Sequence, residues 1–184
     1  MRLGSLFKMN ISPLQDAPGE TMEIQTKLSI PNFTGEGNRL IEMINPWLLE
    51  LQVTNLNRRF QVSGNLTGNY ELACDRCLEK VRMPMETELF ALFYPEGDRN
   101  PPEEGVAFTG DELDLTPLLL EAITLKLPMK NLCAEDCKGL CPVCGINLNT
   151  QTCTCEREAF DPRLAALLKW KEQEGGGRRG QSKN

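Results

Sequence analysis

The sequence contains no histidine, and this absence limits the chemistry that its eight cysteines can support. Catalytic zinc sites usually combine histidine or carboxylate ligands with one open position, whereas sites made entirely of cysteine thiolates are normally closed. Histidine is also the most common general base in enzymes. We therefore expect a protein that is not an enzyme and in which cysteine holds any metal.

Long apolar runs are missing as well. No stretch approaches the roughly 18 apolar residues of a membrane-spanning helix, and residues 1–15 lack the apolar core and small-residue cleavage site of a signal peptide. These absences predict a cytoplasmic protein without membrane contact, in which the cysteines stay reduced. Paired cysteines in that compartment are more often metal ligands or redox groups than disulfides.

Aromatic residues make up only 6% of the chain and the net charge is -6, which argues against nucleic-acid binding over the whole surface. The negative charge is concentrated in residues 95–114, an acidic segment with seven carboxylates and one arginine. The rest of the chain is therefore neutral, so a local basic surface is compatible with the total charge.

The apolar pattern predicts an α+β fold. Apolar and polar residues alternate over 48–53, 60–67, 70–74 and 83–94, as in half-buried strands, with a hairpin turn at 55–58 and a turn or bulge at 68–69. Two more strands are expected within residues 1–30, separated by a turn around residues 16–19. The order predicts an antiparallel sheet that could close into a barrel.

One helix is expected after the sheet, because residues 118–126 are apolar on nearly all sides. This pattern predicts a buried helix packed on the sheet, with Thr116 as its N-cap and Pro128 ending it. A second, short helix would place Leu164, Leu167 and Leu168 on one face. We expect a single domain over residues 1–174 and a disordered tail over residues 175–184.

All eight cysteines fall into four closely spaced pairs: Cys74/Cys77, Cys133/Cys137, Cys141/Cys144 and Cys153/Cys155. Zinc takes four ligands in a tetrahedron, and two cysteines a few residues apart can bind the same ion. Eight thiolates therefore predict two zinc ions in two closed sites. The most specific single piece is CPVCG, because the glycine after the second cysteine permits the turn of a zinc knuckle.

Two combinations of these pairs remain open. Cys141/Cys144 and Cys153/Cys155 are close enough in sequence to form a local site, which leaves Cys133/Cys137 to join Cys74/Cys77. In the alternative, Cys133/Cys137 joins Cys141/Cys144, and Cys153/Cys155 joins Cys74/Cys77. The first combination is favoured because its second site needs no long-range contact.

Other cysteine chemistries fit the sequence less well. A redox CxxC normally opens a helix after a strand, whereas CDRC lies between two predicted strands. The spacings match neither ferredoxin pattern for an iron–sulfur cluster. In a zinc deaminase the proline precedes the first cysteine of the CxxC, but here it follows Cys141. A nuclease centre at Asp111, Glu112 and Asp114 is disfavoured, because these residues precede the helix as a solvated strand edge.

The chain resembles the YceD family in five pieces, which follow one another in the family's order: CDRCLEKV at 74–81, ELDLTPLLLEAITLKLP at 112–128, LCAEDCKGLCPVCGINLN at 132–149, CTCE at 153–156 and DPRLAALLKW at 161–170. With the strands between them, the resemblance covers about residues 45–171. It implies a ribosome-biogenesis factor that supports accumulation of large-subunit (23S) ribosomal RNA, with no established catalytic activity.

Two modes of action are compatible with this resemblance. In the first, the protein binds large-subunit ribosomal RNA or a precursor particle through basic residues near the cysteines: Arg76, Lys80, Arg82, Lys130 and Lys138. Zinc knuckles recur in RNA binding. In the second, the acidic segment 95–114 contacts a protein, such as a basic large-subunit ribosomal protein that needs a chaperone.

Overall fold

The computed structural model describes residues 6–35 and 38–155. The chain divides into two compact units, Met1–Cys137 and Lys138–Asn184. The predicted C-terminal helix at residues 161–170 and the predicted tail at 175–184 lie outside the described residues. The single domain over residues 1–174 stays a prediction. No helix among the described residues is both long enough and apolar enough to cross a membrane.

The first unit is built on one mostly antiparallel sheet with long central strands. Among the described residues its elements are β1 (Lys8–Asn10), α1 (Ser12–Gln15), β2 (Thr21–Leu28), β3 (Phe33–Thr34), β4 (Leu40–Asn55), β5 (Phe60–Ala73), β6 (Lys80–Pro95), β7 (Val106–Phe108), β8 (Glu112–Asp114) and α2 (Thr116–Lys126). The sheet order is β2-β4-β5-β6-β7, and β3 pairs with the first residues of β4. The strands alternate apolar and polar residues, so one face is buried and the other faces solvent.

The sheet is open, so the barrel considered from the sequence is wrong. The end strands β2 and β7 do not pair with each other, and β7 joins β6 in parallel through three residue pairs. The small pair β1–β8 forms a separate ribbon. Alternation of apolar residues shows that one face is buried, but it carries no information on whether the two edges meet.

The turn considered at residues 68–69 is also wrong, because β5 runs through them without interruption. The bulge considered there is matched by a register shift between β4 and β5, which lies opposite Gly68. Gly68 is there for close packing: a Cβ at this position would collide with the indole of Trp47, which is completely buried. The glycine that resembled a turn signal therefore accommodates a large core side chain across the sheet. The predicted turn at 55–58 is confirmed, since it joins β4 to β5 with Asn57 and Arg58 at positive φ.

The helix α2 lies where the sequence predicted, but it is half-buried rather than buried. Leu119 and Ile123 are completely buried against the sheet, whereas Leu125 is 78% exposed. Within residues 6–35 and 38–155, the apolar residues on its other faces have no second layer to pack against. Leu115, not Thr116, occupies the N-cap position; the Thr116 hydroxyl instead accepts a hydrogen bond from the Leu6 amide. The helix ends at Lys126, because the residue before Pro128 is extended.

Candidate metal centres

The first four-cysteine cluster, site 1, lies in the first unit and joins the β5–β6 turn to the segment after α2. Its members are Cys74, Cys77, Cys133 and Cys137. The Sγ atoms of Cys74 and Cys137 are 3.8 Å apart, those of Cys77 and Cys133 are 3.6 Å apart, and all four lie within 4.8 Å of one another. Sulfurs about 2.3 Å from a tetrahedral zinc ion are about 3.8 Å apart, so the cluster has the dimensions of such a site.

The second cluster, site 2, lies in the second unit and consists of Cys141, Cys144, Cys153 and Cys155. The Cys153 sulfur is 3.5 Å from that of Cys144 and 3.4 Å from that of Cys141. All eight cysteines are free thiols, and these separations are far longer than an S–S bond of about 2.05 Å. The structure therefore brings the pairs together in the combination that the sequence favoured, and each cluster can hold a metal ion.

The two CxxC loops have the same backbone structure. In CDRC the Cys74 amide donates to the Glu79 carbonyl and the Leu78 amide donates to the Cys74 carbonyl. In CPVC the Cys141 amide donates to the Ile146 carbonyl and the Gly145 amide donates to the Cys141 carbonyl. Both loops are knuckles, although the sequence indicated a knuckle only at CPVC.

The residue after the second cysteine is left-handed in both knuckles, with φ of 61° at Leu78 and 74° at Gly145. Glycine adopts this conformation at little cost, whereas a side chain such as leucine makes it unfavourable. Leu78 is 65% exposed, so core packing does not explain its conformation. The knuckle itself imposes the conformation, and this explains why the sequence lacked the glycine signal at site 1.

Backbone amides in each knuckle point at the first sulfur and favour its thiolate. Burial opposes ionisation of Cys74, but the amides of Cys77, Arg76 and Cys133 outweigh it and lower its pKa to about 6. At site 2 the amides of Cys144 and Val143 lower the pKa of Cys141 to about 6. Each cluster therefore contains one sulfur that is prepared as a thiolate near neutral pH.

In each cluster the pKa of another cysteine is raised instead of lowered. Hydrogen bonds with the Cys137 and Cys77 sulfurs raise the pKa of Cys133 to about 12, and contacts with the Cys153 and Cys144 sulfurs raise that of Cys155 to about 12. Several thiolates so close together repel one another. A cation at the centre of the cluster would offset this repulsion and allow all four cysteines to ionise, as they do in a thiolate metal site.

The middle residues of CDRC anchor the segment that carries Cys133 and Cys137. The Asp75 carboxylate accepts hydrogen bonds from the Asn131 amide at 2.8 Å and from the Arg39 guanidinium at 2.9 Å. The Asp75 amide in turn donates to the Asn131 carbonyl, and the completely buried Asn131 side chain donates to the Ala73 carbonyl. Sequence reasoning missed Asp75, Asn131 and Arg39; for Asp75 the available signal was its place inside CDRC.

Two of the five predicted RNA-contact residues are engaged within the protein. The Arg76 guanidinium donates to the Cys137 carbonyl at 2.9 Å and to the Glu135 carbonyl at 3.2 Å, so it holds the site 1 segment in place. The Lys80 amine is 2.7 Å from the Glu42 carboxylate, which raises the pKa of the lysine.

The other three predicted RNA-contact residues face solvent. Arg82 on β6 and Lys130 before site 1 are exposed, and neither side chain has an ion-pair partner within 6–35 and 38–155. Lys138 is exposed in the second unit, where its backbone amide donates to the Asn149 side chain. Of the predicted RNA-contact residues in the first unit, Arg82 and Lys130 are therefore the two that are free to contact a phosphate.

The acidic segment 95–114 is partly structured by internal contacts. Asp98 accepts from the Arg59 guanidinium, and Asp114 accepts from the Thr116 amide. Glu96, Glu103 and Glu104 have no ion-pair partner in the described part of the chain. The negative charge of these three carboxylates is available to a partner.

A comparison with protein families matches the part of the chain that contains both clusters. The family model described as "Large ribosomal RNA subunit accumulation protein YceD" matches residues 62–171, which include both clusters. No solved structure matches the chain.

Relatives occur in bacteria and plants. An uncharacterized protein of Mycobacterium tuberculosis is 31% identical over 90% of this chain and 82% of its own length. An uncharacterized protein of Bacillus subtilis is 27% identical over 91% of this chain and 98% of its own length. A Zea mays protein named "Large ribosomal RNA subunit accumulation protein YCED homolog 1, chloroplastic" is 27% identical over 60% of this chain and 49% of its own length. From the extent of the family match, the chain belongs to the YceD family of large ribosomal RNA subunit accumulation proteins.

Proposed function

We propose that this protein is a non-enzymatic, cytoplasmic factor that supports accumulation of large-subunit (23S) ribosomal RNA and holds two zinc ions. Family membership carries the ribosomal part of this proposal. The two clusters carry the zinc part, because zinc favours tetrahedral four-thiolate sites of these dimensions. Metal analysis of reduced protein prepared without chelator should return two zinc ions per chain, and fewer than one would contradict the zinc part.

The role we propose for site 1 is structural. Three of its four sulfurs are buried, and its ligands come from segments that are far apart in the sequence. A closed thiolate site leaves no position for a substrate, so zinc would fix the position of the segment after α2 and not act in catalysis.

We propose that the contact with ribosomal RNA or a precursor particle involves the surface that carries Arg82 and Lys130. Both side chains are exposed, and guanidinium and ammonium groups bind phosphates without sequence preference. In-cell ultraviolet crosslinking with sequencing of the attached RNA should give a peak in large-subunit ribosomal RNA. The double variant Arg82→Glu/Lys130→Glu should reduce this peak at least about tenfold, because it reverses two phosphate contacts.

The matched control is Lys27→Glu, which reverses an exposed base on β2, a strand at the other end of the sheet order. The Lys27→Glu variant should crosslink to large-subunit ribosomal RNA as strongly as the wild type. A double variant that folds, retains two metal ions and crosslinks like the wild type would contradict direct contact through this surface. Arg76→Glu is unsuitable for this test, because Arg76 also holds the site 1 segment.

The second candidate function is binding of a basic large-subunit ribosomal protein by the acidic segment 95–114. The observation that favours it is that Glu96, Glu103 and Glu104 have no ion-pair partner in the part of the chain that the structure describes. Replacing these three residues with glutamine should reduce crosslinks to protein and leave crosslinks to RNA unchanged. The opposite pattern would favour the RNA surface.

A further inference from the structure

The outer side of α2 and the neighbouring strand β6 form an open apolar groove. One part of the groove is a cavity of about 670 Å³ between the two elements. From α2 it is lined by Leu118, Ala122 and Leu125, which are spaced at i, i+4 and i+7 and so share one face of the helix. Phe90 on β6 lines the same cavity and is 68% exposed, while Leu125 is 78% exposed.

The groove continues along the helix toward β7. A second cavity of about 360 Å³ shares Phe90 and Leu118 with the first and extends to Val106, which is 38% exposed. α2 is therefore apolar on two sides: Leu119 and Ile123 face the core, and the stripe that starts at Leu118 lines the groove. This second stripe is the reason that the sequence pattern suggested a fully buried helix.

Carboxylates surround the groove, and among the residues that the structure describes no lysine or arginine lines either cavity. Glu88 and Glu121 border the first cavity, and Glu104 and Asp114 border the second. Glu88, Glu104 and Glu121 have no ion-pair partner among residues 6–35 and 38–155. An occupant must therefore match an apolar centre within a negative border.

This combination of charges selects one class of occupant. Nucleic acid and anionic lipid surfaces would bring further negative charge to the border. A second copy bound through the same patch would bring identical carboxylates face to face, and the chain as a whole carries a net charge of -6. A protein segment with apolar residues on one side and lysine or arginine beside them matches both features.

We propose that the groove between α2 and β6 binds a basic amphipathic segment of a partner protein. Its apolar residues contact Phe90, Leu118 and Leu125, and its cations pair with Glu88 and Glu121. Binding of an amphipathic helix in a groove is a common form of peptide recognition. This surface meets the acidic segment 95–114 at its β7 end, where Glu104, Val106 and Asp114 line the second cavity, but its centre is formed by Phe90 and α2. The proposal goes beyond the RNA role because it does not depend on RNA contact.

The direct test is in-cell photo-crosslinking with the full chain, in which the photoreactive amino acid p-benzoyl-phenylalanine replaces Phe90. Mass spectrometry of the adduct should identify a protein segment with net positive charge and apolar residues at helical spacing. The double variant Glu88→Lys/Glu121→Lys should reduce the yield of this adduct about tenfold, because it turns attraction into repulsion. The control places the same photoreactive group at Leu56, an exposed apolar position in the β4–β5 turn.

Every alternative outcome of this experiment overturns the proposal. These outcomes are adducts with nucleic acid, with lipid, with a second copy or with an acidic segment, and a yield no higher than that of the Leu56 control. An adduct that survives the charge reversal would also exclude the groove as described. Loss of RNA crosslinks at Arg82 and Lys130 is measured independently, so failure here is distinguishable from failure of the proposed function.

A binding measurement in solution tests the same surface without depending on the cellular partner. The probe is an 18-residue peptide of leucine and lysine with the leucines on one helical face, and fluorescence anisotropy follows its binding to the purified full chain. Phe90→Ser/Leu125→Ser should weaken binding about tenfold or more. Leu56→Ser should leave binding unchanged, since all three side chains are exposed and their replacement preserves the fold. The proposal would be overturned if the peptide bound equally well to the wild type and to both variants. It would also be overturned if a peptide with glutamate in place of lysine bound the wild type equally well.

Discussion

The two metal clusters make unequal contributions to stability, and a matched pair of cysteine variants measures the difference. Cys133 in site 1 and Cys144 in site 2 are both exposed, so replacing either with serine removes a ligand without leaving a cavity in the core. We expect each variant to lose one zinc ion per chain. Only Cys133→Ser should strongly destabilise the sheet.

The expected loss of folding stability depends on the length of the loop that each metal site closes. Cys77 and Cys133 are 56 residues apart, and Cys144 and Cys153 are 9 residues apart. If a metal bridge restricts the unfolded chain as a disulfide does, closing the longer loop contributes about 4 kcal/mol and the shorter about 2.5 kcal/mol. For a chain of this size, a loss of about 4 kcal/mol lowers Tm by roughly 8–16 °C.

The assay follows the sheet through Trp47, which is completely buried in it. The chain has two tryptophans, so the measurement uses a Trp170→Phe background in which Trp47 is the single reporter. Thermal unfolding is recorded for the parent, Cys133→Ser and Cys144→Ser, with the zinc content of each sample measured in parallel. In Cys144→Ser the sheet transition should stay within about 2 °C of the parent, because site 2 closes a loop within the other unit.

Two results would refute this reasoning. Equal shifts in the two variants would mean that site 1 does not restrict the long loop. A Cys133→Ser shift that persists after a chelator has stripped metal from all samples would mean that the effect comes from the cysteine itself and not from a bound ion.

Three further changes test particular contacts. Asp75→Ala should destabilise the sheet by about 1–2 kcal/mol, because it removes two partly exposed charge-assisted hydrogen bonds, and should speed zinc loss to a chelator. Gly68→Ala should cost about 1–3 kcal/mol in urea unfolding, because its methyl group collides with Trp47. The Asn100 amide and Arg59 hold the pKa of Asp98 below its usual value, so Asp98→Asn should be less stable than wild type at pH 7. That difference should shrink as the pH falls below about 4, where the aspartate of the unfolded chain takes up a proton before that of the folded protein does.

Each of these changes has a control and a contradicting result. Glu86→Ala on β6 should neither destabilise the sheet nor speed zinc loss, and an Asp75 variant that behaves like it would contradict the anchoring role. Thr67→Ala, at an exposed neighbouring position of β5, should cost less than Gly68→Ala; a larger cost would count against the packing argument. For Asp98, a stability difference that grows in acid would have the wrong sign for a carboxylate with a lowered pKa.

Local backbone patterns account for what the sequence predicted correctly. The strands that include residues 48–53, 60–67 and 83–94 are present because alternating apolar residues fit a sheet with one buried face. CPVCG was recognised as a knuckle through its glycine. CDRC has the same backbone but was not recognised, because Leu78 occupies the left-handed position that Gly145 occupies in the second knuckle.

The wrong predictions concern residues whose contacts lie far away in the sequence. The apolar residues around α2 suggested burial, but apolar character alone does not reveal whether a second layer covers the outer stripe. Gly68 suggested a turn because the indole that packs on it comes from another strand. Arg76 looked like a free base because its carbonyl acceptors are distant in the sequence.

The sequence by itself determined the number of cysteine clusters and the local structure around each pair, because spacing within a few residues fixes which thiols can bind one ion. It left two combinations of the four pairs open. Tertiary structure decided between them, because the β5–β6 hairpin and the anchored Asp75–Asn131 contact bring Cys74 and Cys77 to Cys133 and Cys137. The open sheet and the exposed groove were also decided by packing, since both depend on which surfaces meet across long stretches of chain.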